Sequence, residues 1–124
     1  MLNKMVGFVT TTAPERARAF YGDKLGFRFI EDDGFALAFD ANGTLLRVAK
    51  AQSFTPSQAT VLGWEVTDIA AAVRELAARG VVFEQFNLPF LVQDALGIWT
   101  APDGSSKMAW FADPDGNLLM LNQG

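Results

Sequence analysis

The chain has no histidine and no cysteine, and these two gaps exclude more than any other feature of its composition. A His-containing catalytic triad, a thiolate nucleophile, a zinc finger and a His-rich metal site all need side chains that are missing here. Any proton transfer falls to carboxylates, Lys, the lone Tyr or water. Charge is also sparse: 19% of residues are charged, the net charge is −4, and no basic run offsets it. That argues against nucleic acid and against anionic membrane surfaces as partners. No apolar run approaches the roughly 18 residues of a membrane span, and the N-terminus lacks the apolar core of a secretion signal. The expectation is a cytoplasmic protein, which the lack of Cys fits without proving.

The chain is rich in apolar and aromatic residues. Half of its 124 residues are hydrophobic, with 11 Phe and 3 Trp, a composition that folds rather than one that stays disordered. The length suits about one domain, so sub-units within it have to share a core.

Near the C-terminus, Met108 to Ala112 and Leu118 to Leu121 are apolar runs around Asp113-Pro114-Asp115-Gly116-Asn117. This reads as a hairpin, with Pro presetting φ, Gly supplying positive φ, and Asp and Asn bonding to nearby backbone. The hairpin has a precursor. Aligning Phe39-Asp40-Ala41-Asn42-Gly43-Thr44-Leu45-Leu46-Arg47-Val48 with the ten residues from Ala112 to Leu121 matches Asp, Gly, Leu and Leu. Each copy is preceded by a strand and a helix, so the chain reads as two βαβββ halves.

The first half opens with a strand from Leu2 to Thr11. Thr12-Ala13-Pro14-Glu15 has the form of a capping box with Thr12 as N-cap. The helix after it places Ala13, Ala17, Phe20 and Tyr21 on one buried stripe and closes at Gly22 or Gly26. Three strands follow: Phe27 to Glu31, Phe35 to Phe39 and Leu45 to Lys50. Glu31-Asp32-Asp33 reads as a solvated loop. Module one is 1–50, the small polar stretch 51–59 is a connection, and module two is 60–124.

Module two starts with a strand from Thr60 to Val66. Asp68 caps a helix whose Ile69, Ala72, Val73 and Leu76 face inward and which ends at Gly80. Further strands are expected over Val81 to Phe86, Gly97 to Ala101, Met108 to Ala112 and Leu118 to Asn122. The stretch from Asn87 to Gly97 is unusually apolar for a loop, which implies either that a partner covers it or that it folds over a ligand.

The residues Ala19-Phe20-Tyr21, Leu25-Gly26-Phe27, Trp64-Glu65-Val66 with Asp68, Arg79-Gly80-Val81 and Asp113-Pro114-Asp115-Gly116-Asn117 resemble the vicinal oxygen chelate superfamily over nearly the whole chain. These are the glyoxalase, bleomycin-resistance and extradiol dioxygenase relatives. The resemblance implies an α+β fold, tandem βαβββ modules forming a curled mixed sheet around a central cavity, usually in a homodimer. In enzymes of that superfamily a divalent metal is held by residues of the first and last strands of each module. Those positions fall on Val6, Val61, Arg47 and Met120, none of which supplies a usable ligand. The departure points to a metal-free, cofactor-free protein that binds or sequesters a small aromatic or amphipathic molecule. A glyoxalase-like lyase or dioxygenase-like enzyme with other ligands, Glu65 and another carboxylate among them, is the alternative. A structural or regulatory homodimer with a filled cavity is a third reading.

Candidate ligand-binding residues are Phe8, Arg47, Glu65, Trp99, Trp110 and Met120, with no catalytic or metal-binding residue named. Arg47 should need a carboxylate partner, and Glu65 shares its expected parity. It is read either as an anchor for a polar ligand group or as half of a structural ion pair. Phe8, Trp99 and Trp110 make an aromatic wall or are core. Either Trp110 or Phe111 shares a face with Met120, depending on the length of the turn. Met120 is an adaptable apolar contact or core filling. Asp113 and Asp115 are read as turn formers, and Tyr21 as core.

Overall fold

The computed structural model describes all 124 residues. The chain divides into two compact units, one of residues 1–57 with 113–117 and the other of residues 58–112 with 118–124.

In the first unit, β1 (Val6–Thr11), β2 (Arg28–Asp32), β3 (Ala36–Ala41) and β4 (Thr44–Lys50) form a four-stranded sheet in the order β1-β4-β3-β2. β1 runs parallel to β4 and the rest is antiparallel. The strand expected from Leu2 starts only at Val6, because Leu2 and Met5 stay exposed and bury nothing that would offset ordering them. Alternation puts Val9, Leu46, Val48, Leu37 and Phe39 on the covered face, each 4% exposed or less.

The helix α1 (Pro14–Arg18) continues as a π-helical segment over Ala19–Lys24. The wider turn brings the neighbours Phe20 and Tyr21 to the same buried side, with rings edge-to-face at 5.1 Å. Gly26, at φ 79°, ends it, so of the two glycines expected to close the helix this is the one with the left-handed conformation a stop needs.

The capping box is not formed. Ala13 occupies the N-cap position without a side-chain bond, and the Ala13 N–H donates to Thr11 Oγ1 instead. Thr12 is engaged elsewhere: its N–H and its hydroxyl both donate to Asp115 Oδ1, at 2.8 and 2.9 Å. A carboxylate distant in sequence outcompetes the local cap because it accepts from both groups at once.

The second unit repeats the plan. β5 (Thr60–Glu65), β6 (Trp99–Thr100), β7 (Lys107–Ala112) and β8 (Leu118–Gln123) form a sheet in the order β5-β8-β7-β6, with β5 parallel to β8. The helix α2 (Ile69–Ala78) begins at Asp68, whose side chain accepts from the Ala71 N–H. It ends in a Schellman turn: Val81 N–H donates to Leu76 O, Gly80 N–H to Ala77 O, and Gly80 has φ 96°. Ile69 and Val73 are fully buried, while Ala72 and Leu76 are half-buried.

The strand expected over Val81 to Phe86 is reduced to a single bridge between Phe83 and Phe111 and one hydrogen bond from Glu84 N–H to Trp110 O. The Gln93 side chain from the following loop takes up two more of its backbone groups. Gln93 Oε1 accepts from Phe86 N–H at 2.9 Å, and Gln93 Nε2 donates to Glu84 O at 2.9 Å.

Candidate functional site

In the first unit, the other face of the sheet carries Val6, Phe8 and Thr10 of β1, Leu45, Arg47 and Ala49 of β4, and Ala36, Ala38 and Asp40 of β3; it is exposed at Val6 and Phe8 and buried at Ala36 and Ala38. Phe8 is directly in register with Arg47, which in turn is in register with Ala38. Phe8 is 61% exposed, too open for a core residue. Arg47 lies on the face opposite Leu46 and Val48, as its parity requires. Its partner is not Glu65 but Asp33, at 2.8 Å from Nη2 to Oδ2. The β2–β3 turn is therefore not a plain solvated loop. Asp33 Oδ1 accepts from the N–H groups of Phe35 and Ala36, which aims the second oxygen at Arg47, and Asp32 pairs with Lys50 at 2.8 Å. The Arg47 hydrogen bond, with the two backbone N–H groups, holds the Asp33 carboxyl down at about 2. Nη2 donates to Asp33, while Nε and Nη1 make no hydrogen bond within the chain, so part of the fork keeps its capacity for another acceptor.

In the second unit, register places Trp99 opposite Met108, Met108 opposite Asn122 and Asn122 opposite Glu65. One step along the same face, Trp110 is opposite Met120 and Met120 opposite Gly63. Trp99, Trp110, Met120 and Glu65 thus share one face, and Trp110 rather than Phe111 is the partner of Met120. Phe111 points the other way, fully buried, with Trp64 stacked at 6.4 Å and Phe83 tilted at 5.3 Å. Trp99, Trp110 and Met120 are half-buried and Glu65 is exposed.

Two further residues complete this face. Phe86 packs edge-to-face on Trp110 with ring centres 5.5 Å apart. Gly63 leaves room for Met120, since a Cβ there would stand 3.0 Å from Met120 Cγ. A glycine inside the run Val61-Leu62-Gly63-Trp64 is a sequence sign of such close approach. Nothing in the sequence singles out Phe86, whose position depends on how the broken strand runs.

Asp113 and Asp115 do more than form a turn. The segment 113–117 belongs to the first unit, where Asp113 is 6% exposed and accepts four hydrogen bonds. Oδ1 takes the N–H groups of Asp115 and Asn117, and Oδ2 takes Asn117 Nδ2 at 2.8 Å and the Tyr21 hydroxyl at 2.6 Å. Asp115 Oδ2 takes the Thr11 hydroxyl at 2.5 Å, and Asn117 Nδ2 also donates to Thr10 O. Burial, and next the negative charge of Asp113, raise the Tyr21 pKa far above its ordinary value, so Tyr21 stays a protonated donor. Burial alone would raise the Asp115 carboxyl, but bonds from Thr11 and Thr12 outweigh it and bring the carboxyl below its usual range. Each carboxylate oxygen of Asp113 and Asp115 accepts at least one hydrogen bond from Thr11, Thr12, Tyr21 or the turn itself, so the cluster has a structural role.

The positions where the resemblance places metal ligands carry Val6, Arg47, Val61 and Met120, respectively 39% exposed, ion-paired, 41% exposed and packed against Gly63. Two aliphatic chains, a cation and a thioether are not a donor set for a hard or borderline divalent ion. No group of three or more His, Cys, Asp or Glu side chains gathers elsewhere in the chain in a geometry that would hold one, and Glu65 belongs to no such group.

Comparison with solved structures returns the same architecture at low sequence identity. The genomically encoded fosfomycin resistance protein FosX from Listeria monocytogenes aligns with a TM-score of 0.75 and 12% identity, covering 100% of this chain and 94% of that one. Lactoylglutathione lyase from Agrobacterium tumefaciens aligns at 0.72 and 16%, covering 98% and 93%. A member of the glyoxalase/bleomycin resistance protein/dioxygenase superfamily from Sphaerobacter thermophilus aligns at 0.71 and 23%, covering all of both chains. No curated protein matches the sequence. At these identities the likeness is one of fold, and it is the family model, matching residues 4–121, that identifies the lineage. With paired βαβββ units and a sequence match across both, the chain belongs to the Glyoxalase/Bleomycin resistance protein/Dioxygenase superfamily.

Proposed function

We propose that this chain is a metal-independent small-molecule binding protein of the sequestering kind, taking an aromatic or amphipathic ligand, and that it works as a homodimer. The observation that carries the reading is the face built by Trp99, Trp110 and Met120, with Phe86 bracing Trp110 and Gly63 admitting Met120. It offers two half-buried indole rings and a flexible thioether, a surface that takes flat apolar groups of varied outline. Phe8 and the uncommitted donors of Arg47 form a second patch, suited to an aromatic group next to an anionic or polar one. Glu65, exposed at the edge of the first face, would favour ligands with a cationic or hydrogen-bond-donating substituent.

Support for a homodimer comes from the β1 edge, where Met5 is 80% exposed and Val6 39%, and from Phe35, 79% exposed. An open strand edge next to apolar side chains needs cover. Sedimentation or light scattering gives the mass directly.

The functional test is a thermal-shift screen of aromatic and cationic compounds, run with and without a chelator. A binder at a hundred times its Kd adds about 2.7 kcal/mol to stability. For this reading the melt rises with ligand, is unmoved by chelator, and loses its ligand response in Trp110→Ala. A stoichiometric divalent ion whose removal lowers the melt would favour the enzyme reading, and a melt that no compound moves would favour a structural dimer.

A further inference from the structure

We infer that residues 87–92 are a lid over the Trp99, Trp110 and Met120 face, and that Phe90 and Val92 close onto the ligand bound there; this rests on the binding reading above. The base of this loop is built to be rigid. Gln93 donates to Glu84 O and Gly97 O and accepts from Phe86 N–H, three hydrogen bonds from one side chain. Next to it, Asp94 Oδ1 accepts from Leu96 N–H and Ile98 N–H, both at 2.9 Å, and Gln85 Nε2 donates to Asp94 O at 2.8 Å. Between Phe86 and Gln93 the tip is closed on itself by a Leu88–Leu91 bridge with its Leu91 N–H to Leu88 O bond, and a 3.3 Å contact runs from Asn87 to Gln85 O. Asn87 itself has φ 57°, a left-handed bend at the point where the tip leaves its base.

Both ends of the tip are fixed to the proposed binding face. Phe86 packs on Trp110, and Gln93 bridges to Trp99. The tip itself carries Leu88 at 41%, Phe90 at 78% and Val92 at 76% exposure. A rigid base holding an apolar tip in water at the margin of an aromatic face is the arrangement of a flap without its ligand. The occupant it suits is a flat aromatic or amphipathic molecule on the two indoles, whose outer surface would be wet unless the tip covers it.

The probe for the test is anilinonaphthalenesulfonate, an amphipathic aromatic whose emission reports water exclusion. Stopped-flow release and amide hydrogen exchange are measured for wild type, Phe90→Ser, Val92→Ser and Trp110→Ala. The expected result is slower exchange at 87–92 on probe binding and roughly tenfold faster release from Phe90→Ser with an unchanged melt, as loss of one buried aromatic contact implies. Trp110→Ala should lose the probe altogether. Tight binding to wild type with release unchanged in both tip variants overturns the lid and leaves the binding reading in place. No probe binding to wild type overturns both. A fall to monomer mass in Phe90→Ser, with release unchanged, would make the tip a subunit contact and also overturns the lid.

Discussion

Replacing Tyr21 with Phe tests the buried network around Asp113. The change keeps the ring, which packs on Phe20 at 5.1 Å and Phe39 at 6.0 Å, and removes only the hydroxyl that donates to Asp113 Oδ2 at 2.6 Å. The residue is completely buried and the carboxylate 6% exposed, so water does not readily replace the lost donor. A hydrogen bond to a charged acceptor contributes about 1.5–3 kcal/mol, which sets an expected loss of ~2 kcal/mol. Against a typical total of about 5–15 kcal/mol this is a large share, and for a chain of 124 residues it lowers the melting temperature by roughly 6–10 °C. Urea unfolding followed by Trp fluorescence should show a lower midpoint at unchanged slope.

Alkaline pH gives a second readout of the same site, set first by the burial of the Tyr21 hydroxyl and next by the charge of Asp113 and the bond to it. Tyr21 holds its proton to higher pH folded than unfolded, so its contribution is complete below about 10 and is lost as pH rises beyond that. Tyr21→Phe should lack this component of alkaline destabilisation. A double-mutant cycle with Asp113→Ala decides the cause: without the carboxylate, removing the hydroxyl should cost under about 0.5 kcal/mol. An equal cost in both backgrounds would refute the reasoning, because the loss would then come from packing.

Asp33→Asn should remove a pH-dependent part of stability. The folded carboxyl sits at about 2, below its unfolded value, so the wild type keeps this contribution above about 4 and loses it as pH falls towards 2, while the variant does not; acid titration of the unfolding midpoint checks it. Asp68→Ala should cost about 1 kcal/mol by freeing the Ala71 N–H at the start of α2, measured by urea unfolding. Gly63→Val should displace Met120, whose Cγ would stand 3.0 Å from the added Cβ, at a cost of about 1–3 kcal/mol, with a changed near-ultraviolet spectrum from Trp110.

The sequence alone carried the repeat, the two helices with their glycine stops, the Asp68 cap and the face to which Arg47 belongs. These follow from local rules: alternation along a strand, the helical stripe, and the turn chemistry of Asn42-Gly43 and of Asp113 to Asn117. It also carried the replacement of the expected metal ligands, since residue type decides donor chemistry before any fold is known. What it did not carry were pairings between residues distant along the chain. Thr12 leaves its cap for Asp115, Arg47 takes Asp33 rather than Glu65, and Tyr21 finds Asp113. Each was settled by which polar groups the packed backbone brought within about 3 Å; for Tyr21 and Asp113 burial makes the pairing obligatory, whereas Thr12 and Arg47 pair at the surface because a carboxylate lies within reach. The choice of Trp110 over Phe111 as neighbour of Met120 has the same origin. One residue of register reverses a strand's faces, and that register was fixed by the β7–β8 ladder, not by the composition of the turn.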